Sequence, residues 1–205
     1  MEKKVFVQAI EQLPKGKRKI CLSHGTDLIL YQKEVQRYGL AEEAELTREQ
    51  YELILTEVLI PRARKRAMYL LERMDRSEKQ LRQKLQENGY PPEAIEDALS
   101  YVRSYHYLDD ERLARSYIRF HQGSRSRMRI CRDLMQKGLS RDLIDRCLEE
   151  EYETEESEMI IELLRKKHYD PQTANREEKA KMYRFLLHRG FQTADIGRAL
   201  HLDNF

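Results

Sequence analysis

Tryptophan is absent from the 205 residues, and several other residues that mark specialised chemistry are scarce or scattered. The three cysteines, Cys21, Cys131 and Cys147, are far apart, odd in number and without a CxxC pair. That excludes a disulfide framework and a thiolate metal site, and it points to a reduced, cytoplasmic setting. The eight glycines stand singly, so neither a phosphate-cradling loop nor a dinucleotide fingerprint exists. The six histidines are separate, with no HExxH pattern. No metal and no cofactor are therefore expected. No apolar run approaches the roughly 18 residues needed to cross a bilayer, and the start lacks a secretory pattern, so no membrane partner is expected. With a net charge of only +2, no global field draws the chain to nucleic acid.

Charge itself is abundant: 36% of residues are Asp, Glu, Lys or Arg, against roughly 25% in an average globular protein. Within this polar background one apolar phrase occurs three times with identical internal spacing. Its copies are Leu81, Leu85, Gly89, Tyr90, Ile95, Leu99, then Ile130, Leu134, Gly138, Leu139, Ile144, Leu148, then Met182, Leu186, Gly190, Phe191, Ile196, Leu200. Each reads as a helix with apolar residues four apart, a glycine that ends it, an apolar residue after the turn and a second helix. A repeat of about fifty residues is in the range of helical arrays. The expected fold is mainly α: tandem three-helix repeats in an elongated curved array, each repeat completing its neighbour's core, behind a small N-terminal β-hairpin or three-stranded meander.

Residues 1–46 form the β-rich extension, with short runs at Lys4–Leu13, Lys17–His24 and Asp27–Tyr31 and a short helix ending at Gly39. Residues 47–61 form a connecting helix that Thr47 and Gln50 open as a capping box and that Pro61 kinks or breaks. The three repeats follow at 62–108, 109–153 and 154–205. In the leading helices, Ala67, Leu70, Leu71 and Met74 are expected to face the core of the first, and Leu113, Tyr117 and Phe120 that of the second.

Candidates for catalysis are few. The acidic pair Asp109-Asp110 could carry an active site, but it reads better as the acidic start of a helix, meeting the positive end of its dipole. Arginines are more informative. From Arg112 to Arg132 there are seven and no carboxylate: Arg112, Arg115, Arg119, Arg125, Arg127, Arg129 and Arg132. Arg125, Arg129 and Arg132 are expected on one face of a helix. In the first repeat Arg62, Arg66, Arg73 and Arg76 lie opposite the apolar face. These eleven are the candidate contacts to a partner or to nucleic acid, through the planar guanidinium fork. An acidic run, Glu149 to Glu158, follows and reads mainly as the start of the third leading helix. Spacing also fits a DNA-binding helix-turn-helix. The helices after the turns carry Glu93, Glu96 and Asp97, or Asp142, Asp145 and Glu149, which phosphates flanking a groove would repel.

Three stretches together resemble the RecX family of bacterial regulatory proteins: Arg76 to Leu85 with Asn88-Gly89-Tyr90, then Tyr107-Leu108-Asp109-Asp110-Glu111-Arg112-Leu113-Ala114, then Leu134 to Leu139. Leu113 stands where the family usually has phenylalanine, and the loop at Gly123 is less glycine-rich. The resemblance implies a non-enzymatic monomer that lies in the groove of the RecA–DNA filament and modulates, most often inhibits, ATP hydrolysis and strand exchange in recombination and DNA repair. The basic residues themselves lead to the further expectation of weak backbone contacts to single- and double-stranded DNA. The alternative is a DNA-binding helical-repeat protein acting independently of RecA.

Overall fold

The structure is a computed structural model that describes residues 4–202; residues 1–3 and 203–205, at the ends of the first and last expected segments, lie outside the described residues. The chain divides into two compact units, Met1–Asp109 and Asp110–Phe205.

In the first unit, β1 (Val5–Leu13) passes through a tight 3-10 turn at Pro14–Gly16 into β2 (Lys17–Leu22), and β3 (Leu28–Tyr31) follows. Lys15 and Gly16 both take the left-handed conformation, which reverses the chain within a few residues. After α1 (Gln32–Arg37) comes β4 (Glu45–Leu46), a strand that the sequence reading lacks. It pairs with Val5 and Phe6, so the sheet has four antiparallel strands in the order β3-β2-β1-β4. Next come α2 (Arg48–Ile54), α3 (Ile60–Arg73), α4 (Glu78–Glu87) and α5 (Pro92–Ser104).

The break expected at Pro61 does not occur. Residues Leu55–Leu59 form a π turn, the Ile60 amide donates to the Leu55 carbonyl, and the helix runs on. The wider turn relieves the contact that a proline ring makes with the carbonyl four residues back. Met74 is corrected too. Its backbone is extended (φ −164°, ψ 136°), so the helix has already ended, and the side chain is 61% exposed. Leu59, Ala63, Ala67 and Leu70 make the buried stripe instead. Sheet and helices share one core, in which Ile20, Leu28 and Leu30 join Ile54, Leu81, Leu85, Ile95 and Leu99. A small sheet gains its stability from a covered hydrophobic face, and here the helices cover it.

The second unit holds α6 (Asp110–His121), α7 (Arg127–Lys137) and α8 (Arg141–Glu151), then α9 (Glu156–Lys166), α10 (Arg176–His188) and α11 (Thr193–Ala199). Each trio closes its own core: Ala114, Ile118, Ile130, Leu134, Ile144 and Leu148 in one, Ile160, Leu164, Leu186, Phe191, Ile196 and Leu200 in the other. The expectation that neighbouring repeats complete one another is thus corrected. Three helices suffice to enclose these side chains, and Tyr152, packed against both clusters, links the two. Phe120 is also corrected: at 81% exposed it is not a core residue, because Ala114 and Ile118 occupy the inward stripe of α6.

The repeated phrase has one geometry in all three copies. Gly89, Gly138 and Gly190 take φ of 77°, 94° and 87°. The amides of Tyr90, Leu139 and Phe191 donate back to the carbonyls of Leu85, Leu134 and Leu186 at 3.3, 3.3 and 3.4 Å. The glycine amides donate to Gln86, Met135 and Leu187. This is the Schellman closure, which satisfies the last carbonyls of a helix and sets an apolar residue beyond the turn against one inside it. Capping is as regular at the other end: Thr47 and Ser77 accept from the amides of Gln50 and Gln80, completing capping boxes.

Gly138→Ala should destabilise the protein by about 1–2 kcal/mol, because a side chain in the left-handed region clashes with its own backbone. Gly197→Ala, within α11 and with open space around it, should be neutral or stabilise by up to about 1 kcal/mol. Urea unfolding followed by circular dichroism measures both; equal effects would contradict the turn.

Candidate partner-binding surface

In the first unit Arg62 and Arg66 tie elements of the fold together. Arg62 donates to the Ile29 carbonyl at 3.2 Å, pairs with Glu34 and stacks over Tyr31, tying α3 to the sheet. Arg66 donates to the Asn88 side chain at 2.7 Å, at the residue that caps α4. Arg76 is half-buried. Arg73 is exposed, with its guanidinium 4.6 Å from the centre of the Tyr69 ring. Arg64, not among the candidates, makes a two-pronged pair with Asp97 at 2.5 and 2.9 Å and lies over Tyr101.

The second unit brings carboxylates to the arginine-rich stretch from outside it. Arg115 pairs with Glu111 at 2.7 Å, Glu150 at 2.5 Å and Glu151 at 3.0 Å. Arg119 grips the same Glu151 with two nitrogens, at 2.5 and 2.7 Å. Glu150 and Glu151 sit at the end of α8, where the helix dipole disfavours anions, so the two arginines stabilise that end. They hold the Glu151 carboxyl down to about 2.

Arg125 and Arg129 converge on Asp133, a carboxylate only 8% exposed. Arg125 donates at 2.8 Å, Arg129 lies at 3.0 Å, and the Tyr117 hydroxyl donates at 3.2 Å. A buried carboxylate is tolerated because charged donors surround it. Arg125, Arg129 and Arg132 do not share a helix face as expected. Arg125 precedes the Ser126 cap of α7, while Arg132 faces solvent. Beyond Arg73, the candidates exposed to solvent are Arg112, Arg119, Arg127 and Arg132. Among the described residues Arg127 and Arg132 have no ion pair. Apart from Arg119, held by Glu151, the outward candidates are therefore few: Arg73 in the first unit, and Arg112, Arg127 and Arg132 in the second.

The acidic pair Asp109-Asp110 stands at the start of α6, with Asp110 and Glu111 in the first turn. Among the described residues no group of three or more His, Cys, Asp or Glu side chains is placed to hold a metal ion, and no helix is long and apolar enough to cross a membrane. In the two helices expected to repel phosphate, some acidic side chains are internally paired, Glu96 with Arg82 and Asp145 with Arg141.

The fold defines a mainly helical protein of three-helix groups in tandem, behind a small antiparallel sheet. Family models describing the first, second and third three-helix domains of RecX match residues 63–101, 109–148 and 153–200. A regulatory protein RecX of Caldanaerobacter subterraneus is 34% identical over 80% of this chain and 82% of its own length. One from Salmonella heidelberg is 38% identical over 64% of this chain and 85% of its own length. A crystal structure of regulatory protein RecX superposes with a TM-score of 0.56 at 24% identity, covering 97% of this chain and 100% of that one. That of RecX from Lactobacillus salivarius gives 0.55 at 19% identity over 69% and 94%. This chain belongs to the RecX family of regulatory proteins.

Glu151 generates a pH prediction. Its folded-state carboxyl, near 2, lies below the usual carboxylate value of about 4.3, so the unfolded chain binds the proton first. The stabilisation is complete above about pH 4.3 and is lost as pH falls towards 2. Glu151→Gln should flatten the dependence of unfolding free energy on pH across that window; an unchanged slope in urea melts from pH 5 to pH 2.5 would show that the pair contributes nothing.

Proposed function

We propose that this protein binds the RecA–DNA filament and inhibits its ATP hydrolysis and strand exchange, acting as a monomer without catalysis of its own. The observation that carries the reading is the ordered match of all three RecX three-helix domains to one chain. Several linked helical groups can each make a weak contact, and together they gain avidity that no single contact supplies. The outward arginines, Arg73, Arg112, Arg127 and Arg132, suit acidic protein surface or the phosphates of single- and double-stranded DNA. Such contacts are screened by salt, so association should weaken as ionic strength rises.

The experiment is RecA-catalysed ATP hydrolysis on single-stranded DNA with increasing amounts of this protein. Inhibition at less than one copy per RecA protomer is expected; unchanged hydrolysis and strand exchange at large excess, with no filament binding, would end the proposal. Affinity for bare DNA that RecA leaves unchanged would favour the independent DNA-binding reading instead.

Charge reversal separates the surface from the scaffold. Arg127→Glu combined with Arg132→Glu should weaken filament association about tenfold or more at moderate salt while leaving the unfolding midpoint nearly unchanged. Arg115→Glu should lower the midpoint, because it places a fourth carboxylate among Glu111, Glu150 and Glu151. Co-sedimentation with filaments and urea melts measure the two effects.

A further inference from the structure

Where the end of α10 meets the start of α7, within the second unit, a cleft of about 260 Å³ is lined by Ser124, Arg125, Arg129, His188 and Arg189. Three guanidinium groups face this space, and one carboxylate, Asp133, answers two of them from behind. Arg189 has no carboxylate partner among the described residues. Its Nε is buried without a hydrogen-bond partner, and its plane lies against the Phe185 ring, 3.8 Å from the centre. Stacking on a ring favours a cation but supplies no countercharge. Burial, reinforced by Arg125, holds the Arg189 guanidinium below its ordinary pKa.

Donors are also left over. Arg125 commits Nη1 to Asp133 and Tyr117, and Arg129 commits Nε to Asp133. Each guanidinium carries five N–H bonds, so most of them remain for another acceptor. The arrangement is held firmly. The Ser126 amide donates to the Arg189 carbonyl at 3.1 Å, and a Cβ on Gly190 would sit 2.6 Å from that of Arg129. Like charges kept this close, with unpaired forked donors, are the arrangement that a multiply charged oxyanion stabilises.

We propose that this cleft is a phosphate-binding site, taking one phosphate oxyanion among the guanidinium groups of Arg125, Arg129 and Arg189. The proposal stands without the RecA reading, since the anion binds this chain alone. Inorganic phosphate and the phosphodiester of a DNA strand share the required chemistry, and the strand is distinguished from the free ion by experiment. Sequence points to Arg189 only through its place beside the third turn glycine; the cleft itself joins lining residues far apart in sequence, Ser124, Arg125 and Arg129 with His188 and Arg189.

The test is NMR of the arginine Nε–H resonances of the full chain, titrated with inorganic phosphate at constant ionic strength. Saturable shifts of Arg125, Arg129 and Arg189 at millimolar phosphate are expected, with Arg165, in its surface pair with Glu162, unmoved. Shifts that never saturate, or that move all arginines alike, would overturn the site. Arg189→Gln, confirmed folded by circular dichroism, should weaken phosphate binding about tenfold or more at the remaining two arginines; unchanged affinity would overturn it too. Should that variant not fold, Arg189→Lys, which keeps the charge and loses the fork, is read in the same way. An oligothymidylate without terminal phosphate completes the series: the same saturable shifts assign the site to the DNA backbone, and their absence, with phosphate still binding, assigns it to a free or terminal phosphate.

Discussion

In each copy of the repeated phrase a helix ends in a glycine held at positive φ, and two backbone hydrogen bonds fold the next residue back onto the helix it has just left. Much else depends on that closure. It turns the chain so that the next helix packs on the previous one, and it delivers Leu139 and Phe191, and more partially Tyr90, into the cores. It also governs how closely neighbours approach. Gly89 lies against the Ile29 side chain of the sheet, and Gly190 against Ser126 and Arg129 at the start of α7. A Cβ at either position would meet those atoms well inside contact distance, so the turn glycines serve packing as well as conformation.

The turns were legible because they combine two independent sequence signals in phase: apolar residues at helical spacing and a lone glycine. Capping boxes at Thr47 and Ser77 were legible for the same reason, a fixed offset of three residues between partners. What escaped lacks such redundancy. A two-residue strand such as Glu45–Leu46 has no period to detect and exists because β1 offers it an edge. Met74 keeps the helical spacing after the backbone has left the helix. Phe120 shows that spacing alone does not choose between adjacent stripes: α6 buries the small Ala114 and the branched Ile118, leaving the larger ring outside.

Charge was harder to read than packing. The arginine-rich stretch lacks carboxylates, and its partners come from outside it: Glu111 directly before, Asp133 directly after, and Glu150 and Glu151, brought back by the turn between α7 and α8. Pairing across three helices turns much of an apparent binding patch into scaffold. What is left comprises a few outward arginines and, in the second unit, the cleft around Arg189. Arg189 itself stood in plain view beside a repeat glycine, but nothing in its spacing marks it as a guanidinium without a countercharge. That property belongs to the tertiary contact alone.

Membership of the RecX family fits this arrangement, in which three matched three-helix groups follow one another along the chain. The most direct measurement is amide hydrogen exchange by NMR at Tyr90, Leu139 and Phe191, whose N–H groups close the three turns. All three should be protected as strongly as the interiors of the helices they terminate. Exchange near the rate of an unstructured peptide at these amides, with the helix interiors still protected, would contradict the account.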